Sequence, residues 1–141
     1  MSTDTMKQYT GTKTLMAKPM TRGEYNALRE WKSIPGEDQE APGYLVEYED
    51  RGTPNHEDFK GYISWSPAEV FEKIYWPSAS PKDRLEAELR DLKDRTEKLN
   101  GFLQTQAFKD LPSLHGALLV DQHYLMLELV EVLNRRLELW K

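Results

Sequence analysis

The side chains able to do chemistry are few, and most stand where a plainer role accounts for them. Arg135 and Arg136, with Asn134 beside them, lie near the end of an otherwise apolar C-terminal segment. Arginine grips phosphate through two parallel hydrogen bonds, so the pair offers a seat for an anion. Compensation of a helix dipole, with a salt bridge to Glu131 or Glu138, is the alternative that the residues alone favour. Pro19-Met20-Thr21-Arg22-Gly23-Glu24 sets an arginine and free amides at a helix start, which suits an anion as well as it suits simple capping. Phe102 could stack on a base or merely widen a helical core, and core packing is the commoner use.

Signals for catalysis are thinner. His56, His115 and His123 lack the spacing of a metal site, and His56-Glu57 has no second histidine three residues on. Gly11-Thr12-Lys13-Thr14 echoes a phosphate loop, but the upstream glycine is missing and the segment reads as strand. Ser64, Ser66, Ser78 and Ser80 sit at strand ends and helix caps, without a glycine-flanked elbow. Paired carboxylates such as Glu86 with Glu88 or Glu128 with Glu131 read as solvated helix faces. The expectation is a protein that is not an enzyme and holds no metal or cofactor.

Composition bounds the scaffold that must position these residues. The chain has 141 residues, 19 basic and 24 acidic side chains, a net charge of −5 and no cysteine. That length allows one compact domain or two small ones with a modest core. Without cysteine there are no disulfides and no thiolate chemistry, as suits a reducing cytosol. The polar N-terminus has no apolar signal core, and Glu128 and Glu131 interrupt the richest apolar stretch, so neither secretion nor membrane spanning is expected. A net acidic chain is also a poor binder of polymeric nucleic acid. The charge is uneven, however. Residues 1–33 hold six bases against three acids, and residues 34–59 hold eight acids against Arg51 alone.

Helix starts are marked by Thr21-Arg22-Gly23-Glu24, by Ser66-Pro67-Ala68-Glu69 and, more weakly, by Ser80-Pro81-Lys82-Asp83. They predict short helices over 22–31 and 67–75 and a long one from Pro81. Tyr44-Leu45-Val46-Glu47-Tyr48-Glu49 and Gly61-Tyr62-Ile63-Ser64-Trp65 read as strands around a turn-rich loop, and residues 8–16 are a third candidate. After Trp76-Pro77-Ser78-Ala79-Ser80-Pro81 the pattern changes. Leu85, Leu89, Leu92, Thr96, Leu99 and Leu103 form a seam with spacings of 4 and 3, predicting a helix that ends near Phe108, before Pro112. A second helix over 114–140 carries two apolar stripes, Leu118, Leu125, Leu129, Val132, Leu139 and Leu119, Met126, Val130, Leu133, Leu137, Trp140. One partner helix covers only one stripe, so the other must bury against the N-terminal sheet or a second copy of the chain.

The fold expected is α+β: a small antiparallel sheet module with short helices over 1–76, a linker over 77–81, and a long antiparallel helical hairpin over 82–141 that oligomerises. Leu125, Met126, Leu129, Leu133 and Trp140 are the expected interface.

Several strings are familiar. Tyr9-Thr10-Gly11-Thr12-Lys13, Ala17-Lys18-Pro19-Met20-Thr21-Arg22-Gly23-Glu24-Tyr25-Asn26, Gly43-Tyr44-Leu45-Val46-Glu47-Tyr48 and Gly61-Tyr62-Ile63-Ser64-Trp65-Ser66-Pro67 resemble a phage-encoded β-module. Lys98-Leu99-Asn100-Gly101-Phe102-Leu103, Phe108-Lys109-Asp110-Leu111 and Val132-Leu133-Asn134-Arg135-Arg136-Leu137 resemble the helical hairpin of phage anti-defence sponges. Together they resemble the Thoeris anti-defence protein 1 family. The resemblance implies capture, without degradation, of a cyclic ADP-ribose isomer made by bacterial TIR-domain immune enzymes, in the cytoplasm of the infected host. It also implies dimers that build hexamers, and in some members a second site for cyclic di- or trinucleotides. Leucines such as Leu129 and Leu133 stand where relatives place the arginines of that second site. Phe102 matches the family's aromatic that stacks on the ligand base, and Arg22 lies in a matched motif; the ligand-binding set expected here is Arg22, Phe102, Thr105, His123, Arg135 and Arg136. The competing function is a phage protein–protein interaction module with no small-molecule ligand.

Overall fold

The computed structural model describes residues 5–50 and 52–140 and divides into two compact units, Met1–Tyr75 and Trp76–Lys141. Arg51, the lone base of the acidic stretch, lies outside the described residues, as do the first four residues of the polar N-terminus and Lys141.

The first unit is an antiparallel sheet of β1 (Met16–Pro19), β2 (Gly43–Tyr48) and β3 (Tyr62–Pro67) in that spatial order. Helices α1 (Arg22–Leu28) and α2 (Ala68–Ile74) accompany it. Pairing of Leu45 with Trp65 and of Glu47 with Ile63 puts these four residues on one face of the sheet. There Leu45 and Ile63 join Tyr25 of α1 in a buried cluster, each contributing about 1.5–3 kcal/mol from burial. Tyr44 points to the other face and stacks on Phe71 of α2, with ring centroids 4.2 Å apart. A sheet this small is stable because a helix packs on each face. The outer edge of β3 is covered at Ile63, where the Asn55 side chain accepts from the Ile63 amide at 2.8 Å and donates to its carbonyl at 2.9 Å.

Three local expectations change. The first strand is Met16–Pro19 rather than residues 8–16. As an exposed edge strand it has no apolar alternation to betray it, and pairing with β2 alone selects it. Ser66 does not cap α2, because it is held in the β ladder opposite Tyr44; Pro67 takes the cap position, and the Ala68 amide donates to the Pro42 carbonyl at 3.0 Å. Helix α1 stops at Leu28 because Glu30 adopts a left-handed φ of 59°. Its amide donates to the Ala27 carbonyl at 3.1 Å while the Trp31 amide reaches back to the Asn26 carbonyl at 2.9 Å. This is the 6→1 and 5→2 termination that usually places glycine at the left-handed position.

The second unit contains α3 (Pro81–Leu103), α4 (Gln106–Lys109) and α5 (Ser113–Glu138). Ser80 caps α3 as expected, accepting from the Asp83 amide at 3.1 Å. The long helix ends five residues before Phe108. Thr105 leaves the helical path and caps α4 instead, accepting from the Phe108 amide at 3.3 Å. Leu85, Leu89 and Leu92 are buried with Leu133, against which Met126, Val130 and Leu137 also pack. Glu86, Leu89, Arg90 and Lys93 share a groove with Leu137, whereas Lys93, Thr96, Glu97 and Asn100 share one with His123, Leu127 and Val130. Rising numbers on α3 thus meet falling numbers on α5, and the two helices run antiparallel. Thr96 sits buried in the leucine seam because its hydroxyl donates to the Leu92 carbonyl at 2.6 Å, so no polar atom is orphaned.

Candidate functional site

The N-terminal anion seat foreseen at α1 is closed. The Arg22 amide donates to the Ala41 carbonyl at 3.0 Å, the Gly23 amide to the Gln39 carbonyl at 2.8 Å and the Glu24 amide to the Thr21 hydroxyl at 3.1 Å. The Thr21 amide completes the capping box on Glu24 at 3.3 Å. Every first-turn donor that could have met a phosphate is therefore spent on the protein. The Arg22 guanidinium is spent too, bonded to Glu37 at 3.1 Å and lying over the Trp65 ring at 5.3 Å. Glu37 also accepts from Asn26 at 2.8 Å and Gln39 at 3.0 Å. Those two hydrogen bonds, seconded by Arg22, hold its carboxyl below the usual carboxylate range. The arginine belongs to a satisfied polar network around buried Asn26, which the sequence could not reveal because Glu37 and Gln39 come from a loop without pattern.

In the helical unit the remaining candidates separate into two ends. Phe102 is 37% exposed and meets Phe108 edge-on, with ring centroids 6.3 Å apart. Thr105 lies in the same turn, its hydroxyl donating to the Phe102 carbonyl at 2.6 Å. Phe108 abuts the start of α5, since a Cβ built on Gly116 would lie 3.6 Å from its ring. Arg135 is nineteen residues beyond Gly116, ~28 Å along the helix at 1.5 Å per residue. Within one chain, Phe102 and the Arg135–Arg136 pair cannot hold the same small ligand. Arg135 is bonded to Glu131 at 2.8 Å, the alternative that the residues by themselves favoured. Arg136 is exposed, with no ion pair among the described residues.

His123 has different company. It lines an open groove of about 450 Å³ together with Lys93, Thr96, Glu97, Asn100, Leu127 and Val130. That volume lies within the range of small-molecule sites, and the lining mixes apolar and polar side chains. Lysine, asparagine and histidine supply donors and Glu97 supplies an acceptor. Lys93, Thr96, Glu97 and Asn100 were not singled out from the sequence. Their spacing of 3, 1 and 3 on the flank of the leucine seam was the available signal, but it reads as a solvated face until α5 is laid beside it.

The two stripes of α5 divide as covering by a single partner helix requires. Val130, Leu133 and Leu137 turn toward α3, whereas Leu118, Leu125, Leu129, Val132 and Leu139 stay exposed, Leu125 at 61% and Leu139 at 87%. The expected interface set therefore mixes two faces. Leu133, 3% exposed, and Met126 belong to the α3–α5 core, because their positions on the helix face α3; Leu125, Leu129 and Trp140 remain outside it. Val132 follows His123 by nine residues, about two and a half turns, so the exposed stripe and the groove lie on opposite faces of α5. Tyr124 hydrogen-bonds Glu128 on the exposed surface, which raises its hydroxyl above the usual tyrosine value.

Among the described residues no group of three metal-ligating side chains converges, and no helix is long and apolar enough to cross a membrane. Residues 79–139, nearly all of the helical unit, match the family model described as Sequestin. This is the anti-defence sponge family that the resemblance named. No curated protein and no solved structure matches the chain.

Proposed function

We propose, on the premise that this chain belongs through its helical unit to the Sequestin family, that it captures a cyclic ADP-ribose isomer made by TIR-domain immune enzymes and keeps it from its effector. The family match over residues 79–139 carries this reading, and the groove beside His123 supports it by offering donors, an acceptor and an apolar floor in one place. Capture of this kind needs no chemistry: mass action removes the signal while the ligand stays intact. The setting is the cytoplasm of the infected host, with the chain as a homo-oligomer, dimer to hexamer, joined through the exposed stripe of the helical hairpin. Since that stripe and the groove face apart, assembly leaves the groove open. In an assembly, a neighbour's Arg135 and Arg136 can also approach a ligand near Phe102, which the same chain's pair cannot reach.

A thermal-shift panel of cyclic ADP-ribose isomers and cyclic di- and trinucleotides tests the reading. A rise of several degrees with a cyclic ADP-ribose isomer, and its release unmodified on heating, is the expected outcome. Recovery of linear ADP-ribose would make the protein an enzyme, and a flat panel would favour a protein partner.

A further inference from the structure

Helix α3 carries seven pairs of opposite charges four residues apart, and three of them are closed. Lys82 meets Glu86 at 3.9 Å, Arg95 meets Asp91 at 3.0 Å and Lys98 meets Asp94 at 2.8 Å. Where the spacing recurs at Arg84 and Glu88, at Glu86 and Arg90 or at Arg90 and Asp94, at least one member is engaged elsewhere. Arg90 lies over the Trp76 ring at 5.0 Å, and Arg84 donates to the Ser78 carbonyl at 3.1 Å. Lys93 and Glu97 differ. They have the same spacing, yet neither has an ion pair or hydrogen bond among the described residues, and both line the groove that holds His123 and Asn100. A closed pair of this kind stabilises a helix by only a few tenths of a kcal/mol, and by less with lysine N-terminal to glutamate, so this pair loses little by staying open to a ligand. Left open on a concave wall, it presents a cation and an anion about one helical turn apart, ~6 Å between their Cβ atoms.

A ligand matched to both must carry an anionic oxygen and a cluster of hydrogen-bond donors at that separation. Within one nucleotide, a phosphate and the vicinal 2′,3′-hydroxyls of a ribose satisfy this. A carboxylate accepts from both hydroxyls of a vicinal diol, the contact by which an acidic residue reads ribose in dinucleotide folds. A second phosphate near Glu97 would instead be repelled. Building on the proposed capture of a cyclic nucleotide, we infer that Lys93 and Glu97 form a split recognition pair, the ammonium taking a phosphate oxygen and the carboxylate a free ribose diol of the same ligand. The pair thereby selects ADP-ribose-type rings, which keep such a diol, over 3′–5′-linked cyclic oligonucleotides, whose 3′-oxygens are all esterified. Leu127 and Val130 form the apolar floor under the sugar, and His123 and Asn100 face the same space.

Isothermal titration of the full chain with cyclic ADP-ribose and with 3′–5′ cyclic di-AMP tests the assignment. The wild type should bind cyclic ADP-ribose more tightly. Glu97→Gln, which keeps the shape and removes the charge, should weaken cyclic ADP-ribose about tenfold or more and leave cyclic di-AMP unchanged or tighter. Lys93→Gln should weaken whichever of the two is bound. If the wild type binds cyclic ADP-ribose and Glu97→Gln binds it equally well, the pair is not the reader, although the capture function stands. If the wild type binds neither cyclic ADP-ribose nor any of its isomers in the panel, nor cyclic di-AMP, the capture reading falls and the pair falls with it. Both side chains are exposed, so unchanged melting of the variants confines any effect to binding.

Discussion

The two units treat their polar and apolar groups in opposite ways. The β-module spends its functional-looking groups on itself: Arg22 on Glu37, Asn26 on Glu37 and Gln39, Asn55 on the β3 edge, and the Trp65 indole on the Met20 carbonyl at 2.7 Å. The helical unit does the reverse, leaving a leucine stripe uncovered on α5 and an unclosed charge pair on the groove wall of α3. The proposed capture and self-association both rest on the groups that the helical unit leaves unspent. The family match falls on the same unit.

The largest contrast should appear within α5. Leu133→Ala removes a side chain from the α3–α5 core and should cost about 2–5 kcal/mol, seen as a lower melting temperature by circular dichroism. Leu125→Ala, on the exposed stripe, should leave the monomer's stability within about 0.5 kcal/mol and weaken self-association in sedimentation. Equal losses of stability from the two would mean that the stripes are not divided as described. In the β-module, Asn26→Ala strips two hydrogen bonds from a buried network and should destabilise that unit by about 1–3 kcal/mol in chemical denaturation. Ligand affinity should not move with it, and a loss of affinity without unfolding would return the module to the site.

Smaller effects probe the module's local strain and charge. Glu30→Gly places the residue suited to a left-handed φ at the α1 terminus and should raise the melting temperature, by up to about 1 kcal/mol of stability. The acid side follows from Glu37. Its folded-state pKa lies below the ordinary value, so its stabilisation is complete above the unfolded value of 4.5 and is lost as pH falls through the lower folded one. Glu37→Gln should flatten this part of the pH–stability curve, and an NMR titration of the Glu37 carboxyl should show a midpoint below that of solvated glutamates.

Much of the scaffold was readable because it follows from local pattern. The leucine seam of α3, the Ser80 and Thr21 caps, and the strands around Leu45 and Ile63 each need only a few consecutive residues to declare themselves. Illegible features depend on partners distant in the chain. Residues Met16–Pro19 form a strand because β2 lies beside them, and Ser66 is drawn into the ladder by Tyr44. Among the site candidates, Phe102 and His123 could be singled out by residue type alone. The separation of Phe102 from Arg135, the engagement of Arg22 and the grouping of His123 with Lys93, Glu97 and Asn100 could not.

By itself, then, the sequence determined most of the elements, the seam joining the two long helices and the presence of a second stripe that this seam could not cover, because hydrophobic period and capping are written in neighbouring residues. Tertiary structure decided which stripe faced inward, which amides and guanidinium were already taken, and which charges stayed open on a concave wall. Those outcomes depend on hydrogen-bond partners and packing surfaces that meet only when distant segments come together, and no spacing within one segment encodes them.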